Sequence, residues 1–231
     1  NAANFSAGLA EMLAGPHEIA LLGDGLDRPG ERQAYAAAEV IVGILLGAAE
    51  PAPAALRLYH APSAGTDAID VARLPAGVPL CNCFGHEHAI AEYVMTALLM
   101  RHVPIADADA RLRRSEWVYW AGTPGALRTE LGSQTIGLLG FGHIGKAIAM
   151  RARAFGMRVT VANRSPVPTG PLVDASFGLD RLNDFMASAD HIVVSLPHLP
   201  ATTGIVAGQA LAAMRPAATI INVGRGPVID E

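Results

Sequence analysis

The segment TIGLLGFGHIGKAIA constrains this chain more than any other. It carries Gly140, Gly142 and Gly145 in the order G-x-G-x-x-G, after a strand-like run and before a helix-like one. Each glycine has its own task in that context. Gly140 permits a tight turn, Gly142 lets the backbone approach a pyrophosphate, and Gly145 lets the helix pack close to a sheet. The free N–H groups at the helix start then favour an anion. A lone match to this pattern is weak, because a plain tight turn also uses glycine. The strand before and the helix after supply the context a dinucleotide site requires.

The next strand-like segment, MRVTVAN, ends where such a site selects its cofactor. An NAD site places Asp or Glu there, about 20 residues on, to bond the ribose hydroxyls. Asn163, Arg164 and Ser165 stand there instead, with no carboxylate. The Arg164 guanidinium suits a 2′-phosphate, and Ser165 adds one more donor. The expected preference is NADP(H) over NAD(H). A solvated surface arginine is the plain reading of Arg164.

Strand-like and helix-like segments alternate along the whole chain, which predicts an α/β protein with parallel sheets. In the first part, SAGLAEMLAG and RQAYAAAE read as helices, and HEIALLG, VIVGILL, LRLYHAP and VPLCNC as strands. A long helix is expected over EHAIAEYVMTALLMRH, with an apolar stripe at Ile90, Val94, Leu98 and Met100. RLRRSEWVYWAGTPG reads as a loop region, where Trp117, Tyr119 and Trp120 either shape a pocket or pack between domains. Beyond it, KAIAMRARAF, LDRLNDFMASA and AGQALAAM read as helices, and HIVVSLP and TIINV as strands. The expected division is 1–88 for the first domain and 89–231 for the second.

Composition excludes some classes. Net charge is −4, which does not suggest nucleic acid as a partner. No apolar run reaches membrane-spanning length; EVIVGILLGAA is too short and holds glycines. No basic segment precedes an apolar one at the start, so no signal peptide is expected. Cys81 and Cys83, at i and i+2 on one strand face, would form a strained disulfide, so a reduced, cytoplasmic chain is expected. With His86 and His88 they form C-x-C-x-x-H-x-H, unlike the usual zinc spacing, so no metal site is expected. HEHAI lacks the second histidine of a zincin helix.

The segment INVGRGPVIDE sets Arg225 between two glycines after a strand-like run. From pattern alone it is either a catalytic guanidinium or a strand-end arginine paired with Asp230 or Glu231.

Four stretches together resemble the D-isomer-specific 2-hydroxyacid dehydrogenases: APSAGTDAID, NCFGHEHAIAEYV, the GFGHIG turn with ANRS, and SLPHLPATTGIV through INVGRGPVIDE. The match in order and spacing runs from about Ala61 onward. The resemblance implies a flavodoxin-like substrate domain and a Rossmann domain, with the active site in the cleft between them. Hydride would pass between a nicotinamide and C2 of a small 2-oxo or 2-hydroxy acid, such as glyoxylate or hydroxypyruvate. Arg225 would be catalytic and would hold the substrate carboxylate with backbone N–H groups at Ala64 and Gly65. Cofactor contacts would come from Gly140, Gly142, His143, Ile144, Gly145, Asn163, Arg164, Ser165, Pro197, His198 and Val223. His198 also reads as an ordinary polar residue of a crossover loop, and Leu199 stands where a threonine is common. His86 and Glu87 would line the cleft. The helix from Glu87 to His102 would serve a homodimer. The family's acid–base histidine and its carboxylate are expected beyond VIDE, so the chain reads as a truncated enzyme. Asp230 and Glu231 do not match that carboxylate. The alternative is a non-catalytic dinucleotide-binding module that acts through a protein partner. A related oxidoreductase using formate or phosphite would need other polar groups than APSAG offers.

Overall fold

The computed structural model describes residues 6–120, 122 and 129–231. The chain divides into two compact units, 1–84 and 85–231. The division falls just before Gly85, whose φ of +107° turns the chain into the long helix. The expectation of residue 88 lies one residue inside that helix.

The first unit holds α1 (Leu9–Met12), α2 (Glu31–Ala37), β1 (Val40–Val42), β2 (Leu58–His60) and β3 (Leu80–Cys81). The strands pair in parallel, in the order β1-β2-β3. Tyr59, Leu46 and Ala61 are fully buried at the centre of its core, beside Tyr35, Ile41 and Leu56. One expectation fails here and another holds only in part. HEIALLG forms no strand, and Ile19 and Leu21 stay exposed. Apolar residues make a strand only where a neighbour accepts the ladder, and among the described residues no strand pairs with this run. Within SAGLAEMLAG, Ser6 and Leu9–Met12 are α-helical with a turn at 7–8 between them, and Leu9–Met12 buries no residue.

The second unit begins with α3 (Glu87–His102) and α4 (Ile105–Leu112). A five-stranded parallel sheet follows: β4 (Thr135–Leu139), β5 (Arg158–Ala162), β6 (Ala175–Phe177), β7 (His191–Val194) and β8 (Thr219–Asn222). Between its strands lie α5 (His143–Ala154), α6 (Leu182–Ala187) and α7 (Gly208–Ala212). The strand order β6-β5-β4-β7-β8 reverses direction at β4, as in doubly wound dinucleotide-binding folds. All five residues of β4 are buried, because helices cover both faces of the sheet. Ile136 and Leu138 face α3 and α5, while Leu139 and Gly137 face the side of α6, where Phe185 packs beside Ile192 of β7. That two-residue alternation makes each strand serve two cores.

Helix α3 packs along α5, but not through the expected stripe. The buried residues are Ala91, Val94, Met95 and Leu98, at i, i+3, i+4 and i+7. Met100 is exposed, since two residues past Leu98 the helix has turned away from the core. Ile90 is half-buried for the same angular reason. Arg111 and Leu112, expected in a loop, close α4. Trp117 and Trp120 are exposed, and Tyr119 hydrogen-bonds Asp107; parts of that aromatic segment lie outside the described residues. Among the described residues, no helix is long and apolar enough to cross a membrane.

The N-terminal edge of the sheet is closed by polar groups. Asp190 accepts from the Thr135 N–H at 2.8 Å and from Arg215 Nη1 at 2.7 Å. His191, only 2% exposed, places Nδ1 2.7 Å from Thr219 Oγ1 and Nε2 3.3 Å from His102 Nε2. Burial pulls its pKa from 6.5 down to about 4, with His102 and Arg101 adding to the effect against Asp190. The unfolded chain therefore takes a proton near 6.5 that the folded chain refuses until about 4. Stability from this residue is complete above the first value and is lost as pH falls toward the second. We expect a lower urea midpoint at about pH 5 than at about pH 7.5, with a smaller drop in His191→Gln. Equal midpoints in the wild type would show that this buried imidazole is not held neutral.

Candidate functional site

Four loops leave the C-terminal edge of the second unit's sheet, where ligands bind in doubly wound folds. They follow β4, β5, β7 and β8, and together with the first turn of α5 they carry all the expected cofactor residues and Arg225.

The glycine turn after β4 is shaped by contacts that exclude side chains. Gly140 has φ of +100°, and a Cβ there would lie 3.0 Å from Ser195 Oγ and 3.2 Å from Leu196 Cδ2. A Cβ on Gly145 would lie 2.4 Å from the Gly140 carbonyl oxygen, so α5 can start here only with glycine. Gly142 differs: a Cβ there would meet nothing within 4 Å. That opening lies at the N-cap of α5, which has no side-chain cap of its own. Open space beside uncapped helix N–H groups fits a phosphate. His143 is exposed at the first turn and Ile144 is half-buried against the core. Glu87 stands near His143, its carboxyl held below the usual range by its own N–H and that of Gly85, which it meets at 2.7 Å.

Asn163, after β5, ties two loops together. Its Oδ1 accepts from the Phe141 N–H at 3.4 Å, and its Nδ2 donates to the Ser165 carbonyl at 3.0 Å. Arg164 and Ser165 are exposed beyond it, and Arg164 makes no salt bridge among the described residues.

Ser195 and Leu196, which sequence reading did not single out, form the hub. Ser195 Oγ donates toward the carbonyls of Gly140 and Leu139, at 3.2 and 3.4 Å. On the other side, a Cβ on Gly224 would lie 2.5 Å from the Leu196 carbonyl oxygen. The turns of β4 and β8 are thus both pressed against the end of β7. The sequence signal was present in the glycines that face this dipeptide rather than in the dipeptide itself. Thr202, also missed, is buried and organises the next turn. Its Oγ1 donates to the Pro197 carbonyl at 2.6 Å and accepts from the Leu199 N–H at 2.9 Å. A threonine hydroxyl thus fixes this loop although Leu199 replaces the common threonine. His198 is half-buried beside it.

After β8, the N–H of Val223 donates to the Val194 carbonyl at 2.9 Å, extending the ladder by one bond. Asn222 then folds the turn on itself: Oδ1 accepts from the Gly224 N–H and Nδ2 donates to the Arg225 carbonyl, each at 3.0 Å. This clasp leaves the Arg225 guanidinium half-buried at the sheet edge, with Nη1 3.4 Å from the Gly224 carbonyl.

Ala64 and Gly65 belong to the first unit. Their carbonyls are held by Asn82 Nδ2 at 2.9 Å and Ser63 Oγ at 2.7 Å. Among the described residues, no hydrogen bond is donated by their N–H groups. Such a loop presents donors to an anion.

The glycines separate two effects. Gly142→Ala should leave the melting temperature unchanged yet weaken dinucleotide binding, since its φ of −80° suits alanine and only ligand space is filled. Gly145→Ala should cost about 1–3 kcal/mol of stability as well, because its Cβ strikes backbone. Thermal denaturation with cofactor titration tests both; an unchanged affinity in Gly142→Ala would remove the phosphate from this turn.

Comparison with known proteins follows the same geometry. Residues 95–231 match the D-isomer specific 2-hydroxyacid dehydrogenase, NAD binding domain. A D-3-phosphoglycerate dehydrogenase of Mycobacterium bovis is 32% identical over 237 residues, covering 96% of this chain and 44% of that protein. The chain thus spans less than half the length of this relative. The crystal structure of a D-isomer specific 2-hydroxyacid dehydrogenase family protein from Aeromonas salmonicida superposes with a TM-score of 0.74 at 25% identity, over 100% of this chain and 72% of that one. A D-isomer specific 2-hydroxyacid dehydrogenase from Xanthobacter autotrophicus, solved with NADPH and MES, has a TM-score of 0.61 at 28% identity, over 76% and 54% of the two chains. The glycine turn, the strand order around it and the matched segment place this chain in the D-isomer specific 2-hydroxyacid dehydrogenase family, by way of its NAD-binding domain.

Proposed function

We propose that the protein is a D-specific 2-hydroxyacid dehydrogenase that works as a 2-oxoacid reductase and prefers NADP(H). The observation that carries this reading is the packing of the β4 and β8 turns on Ser195–Leu196, which sets the glycine turn and Arg225 on one sheet edge. The nicotinamide cofactor, when bound, supplies the hydride. The helix start at Gly142 and His143 would hold the pyrophosphate, with Ile144, Pro197, His198 and Val223 bordering it. Arg225 would grip the substrate carboxylate with its planar fork and polarise the oxo oxygen as negative charge develops there. The N–H groups at Ala64 and Gly65 would bind an anionic group of the substrate. Arg164 and Ser165 would hold a 2′-phosphate, a role supported by the absence of a carboxylate after β5 and by the NADPH complex of the Xanthobacter relative. Glyoxylate, hydroxypyruvate and D-3-phosphoglycerate are the substrates to compare, the last because of the mycobacterial relative. Tyr93 and Met100, exposed on α3, would lie in a homodimer contact. Two free cysteines accord with a cytoplasmic setting.

Two substitutions test separate parts of this reading. Arg164→Asp should lower the ratio of NADPH to NADH affinity at least about tenfold, the size expected for one charged hydrogen bond. An unchanged ratio would return Arg164 to the solvated surface. Arg225→Gln should reduce kcat/KM about 10²- to 10³-fold in 2-oxoacid reduction while cofactor affinity stays constant. If turnover survives that change, or if wild-type protein binds cofactor and reduces no 2-oxo acid, the catalytic reading fails.

A further inference from the structure

We propose that His143, with Glu87 beside it, makes dinucleotide binding proton-dependent, so that affinity rises as the pH falls. This regulation rests on the pyrophosphate seat proposed at the start of α5. His143 is the first residue of that helix and directly follows Gly142, whose Cβ position is open. Its imidazole is exposed. Histidine is the side chain that changes charge between about pH 5 and 8.

The packing of α3 along α5 brings a carboxylate to the same place. Glu92 of α3 meets Arg151 of α5 at 3.3 Å, and nearer the two helix starts Glu87 interacts with His143. The helices therefore run in the same direction, with their N-termini side by side. Glu87 is held there by its own N–H and by that of Gly85, 2.7 Å away. Those two bonds keep its carboxyl below the usual carboxylate range, and His88 and His143 act in the same direction. Glu87 is thus charged wherever a histidine titrates.

Opposite signs meet at the start of α5. The uncapped N–H groups attract a pyrophosphate, and the fixed charge of Glu87 repels it. A neutral His143 leaves that opposition in place. A protonated His143 screens Glu87 and gives the pyrophosphate a charge-assisted donor. The bound pyrophosphate in turn strengthens the hold of His143 on its proton, because linkage between two ligands is reciprocal. Affinity is therefore highest below the pH at which the unliganded imidazole titrates. It is lost as the pH rises past the point at which the complex releases the proton. His86 and His88 at the start of α3, and His198 after β7, are the other groups here that titrate in this range. Lys146, one turn along α5, and Arg164 and Arg225, on the loops after β5 and β8, keep their charge throughout. They set the affinity and not its pH dependence.

The test is calorimetric titration with ADP-ribose, which carries the pyrophosphate but no 2′-phosphate that would itself titrate. The dissociation constant should rise about three- to tenfold between about pH 6 and pH 8.5. Titrations near neutrality in two buffers of different protonation heat should show uptake of a fraction of one proton. His143→Gln should abolish both effects, and His143→Arg should bind tightly at every pH. Glu87→Gln keeps an acceptor for the Gly85 N–H and should bind more tightly than the wild type at the alkaline end. Wild-type binding that ignores pH, a pH dependence retained in His143→Gln, or unimproved binding in Glu87→Gln would each overturn the proposal and leave the dinucleotide seat standing. No binding of ADP-ribose at any pH would overturn that seat as well.

Discussion

The close approach of three strand ends at Ser195–Leu196 is the constraint on which the site depends. Parallel neighbours set their C-terminal ends side by side, and the turns that leave them compete for one space. Gly140 and Gly224 yield that space from opposite sides. Ser195 then satisfies two carbonyls there, its N–H donating to Leu139 and its Oγ to Gly140. With a side chain at either glycine, the backbones would separate, and both the glycine turn and Arg225 would move. The dinucleotide loop and the arginine are therefore one mechanical assembly, although 84 residues of sequence fold between Gly140 and Arg225.

The second unit was legible where local pattern and tertiary demand agree. Glu87–His102 was read to the residue, because a long helix carries many turns of evidence. Its buried stripe was not, since a helix rich in apolar residues offers several stripes and the partner helix chooses one. Ala91 and Met95 win over Ile90 and Met100 because α5 lies on their side. β6 was missed: its three residues, Ala175–Phe177, show no apolar run and exist as a strand only by pairing with β5. HEIALLG shows the reverse, an apolar run with no strand to pair with. Glycine spacing made the turn after β4 plain, whereas Ser195 and Thr202 act through single hydroxyls that no spacing rule marks.

The two edges of the same sheet use opposite chemistry. At the C-terminal edge, glycines and uncapped N–H groups leave open space and positive potential. At the N-terminal edge, Asp190, His191, Thr135, Arg215 and Thr219 engage one another directly. Closure there holds the strand starts in register.

Asn163 shows how one atom type separates two roles. A carboxylate at this position could accept from the Phe141 N–H but could not donate to the Ser165 carbonyl. The amide does both, at 3.4 and 3.0 Å. It therefore turns inward as a clasp between the glycine turn and the next loop, instead of outward toward a ribose. Turning inward leaves the outward position to Arg164, whose guanidinium remains in solvent. On this reading the preference proposed for NADP(H) has a structural half and an electrostatic half. Asn163 withdraws the acceptor that an NAD ribose uses, and Arg164 supplies the charge that a 2′-phosphate uses.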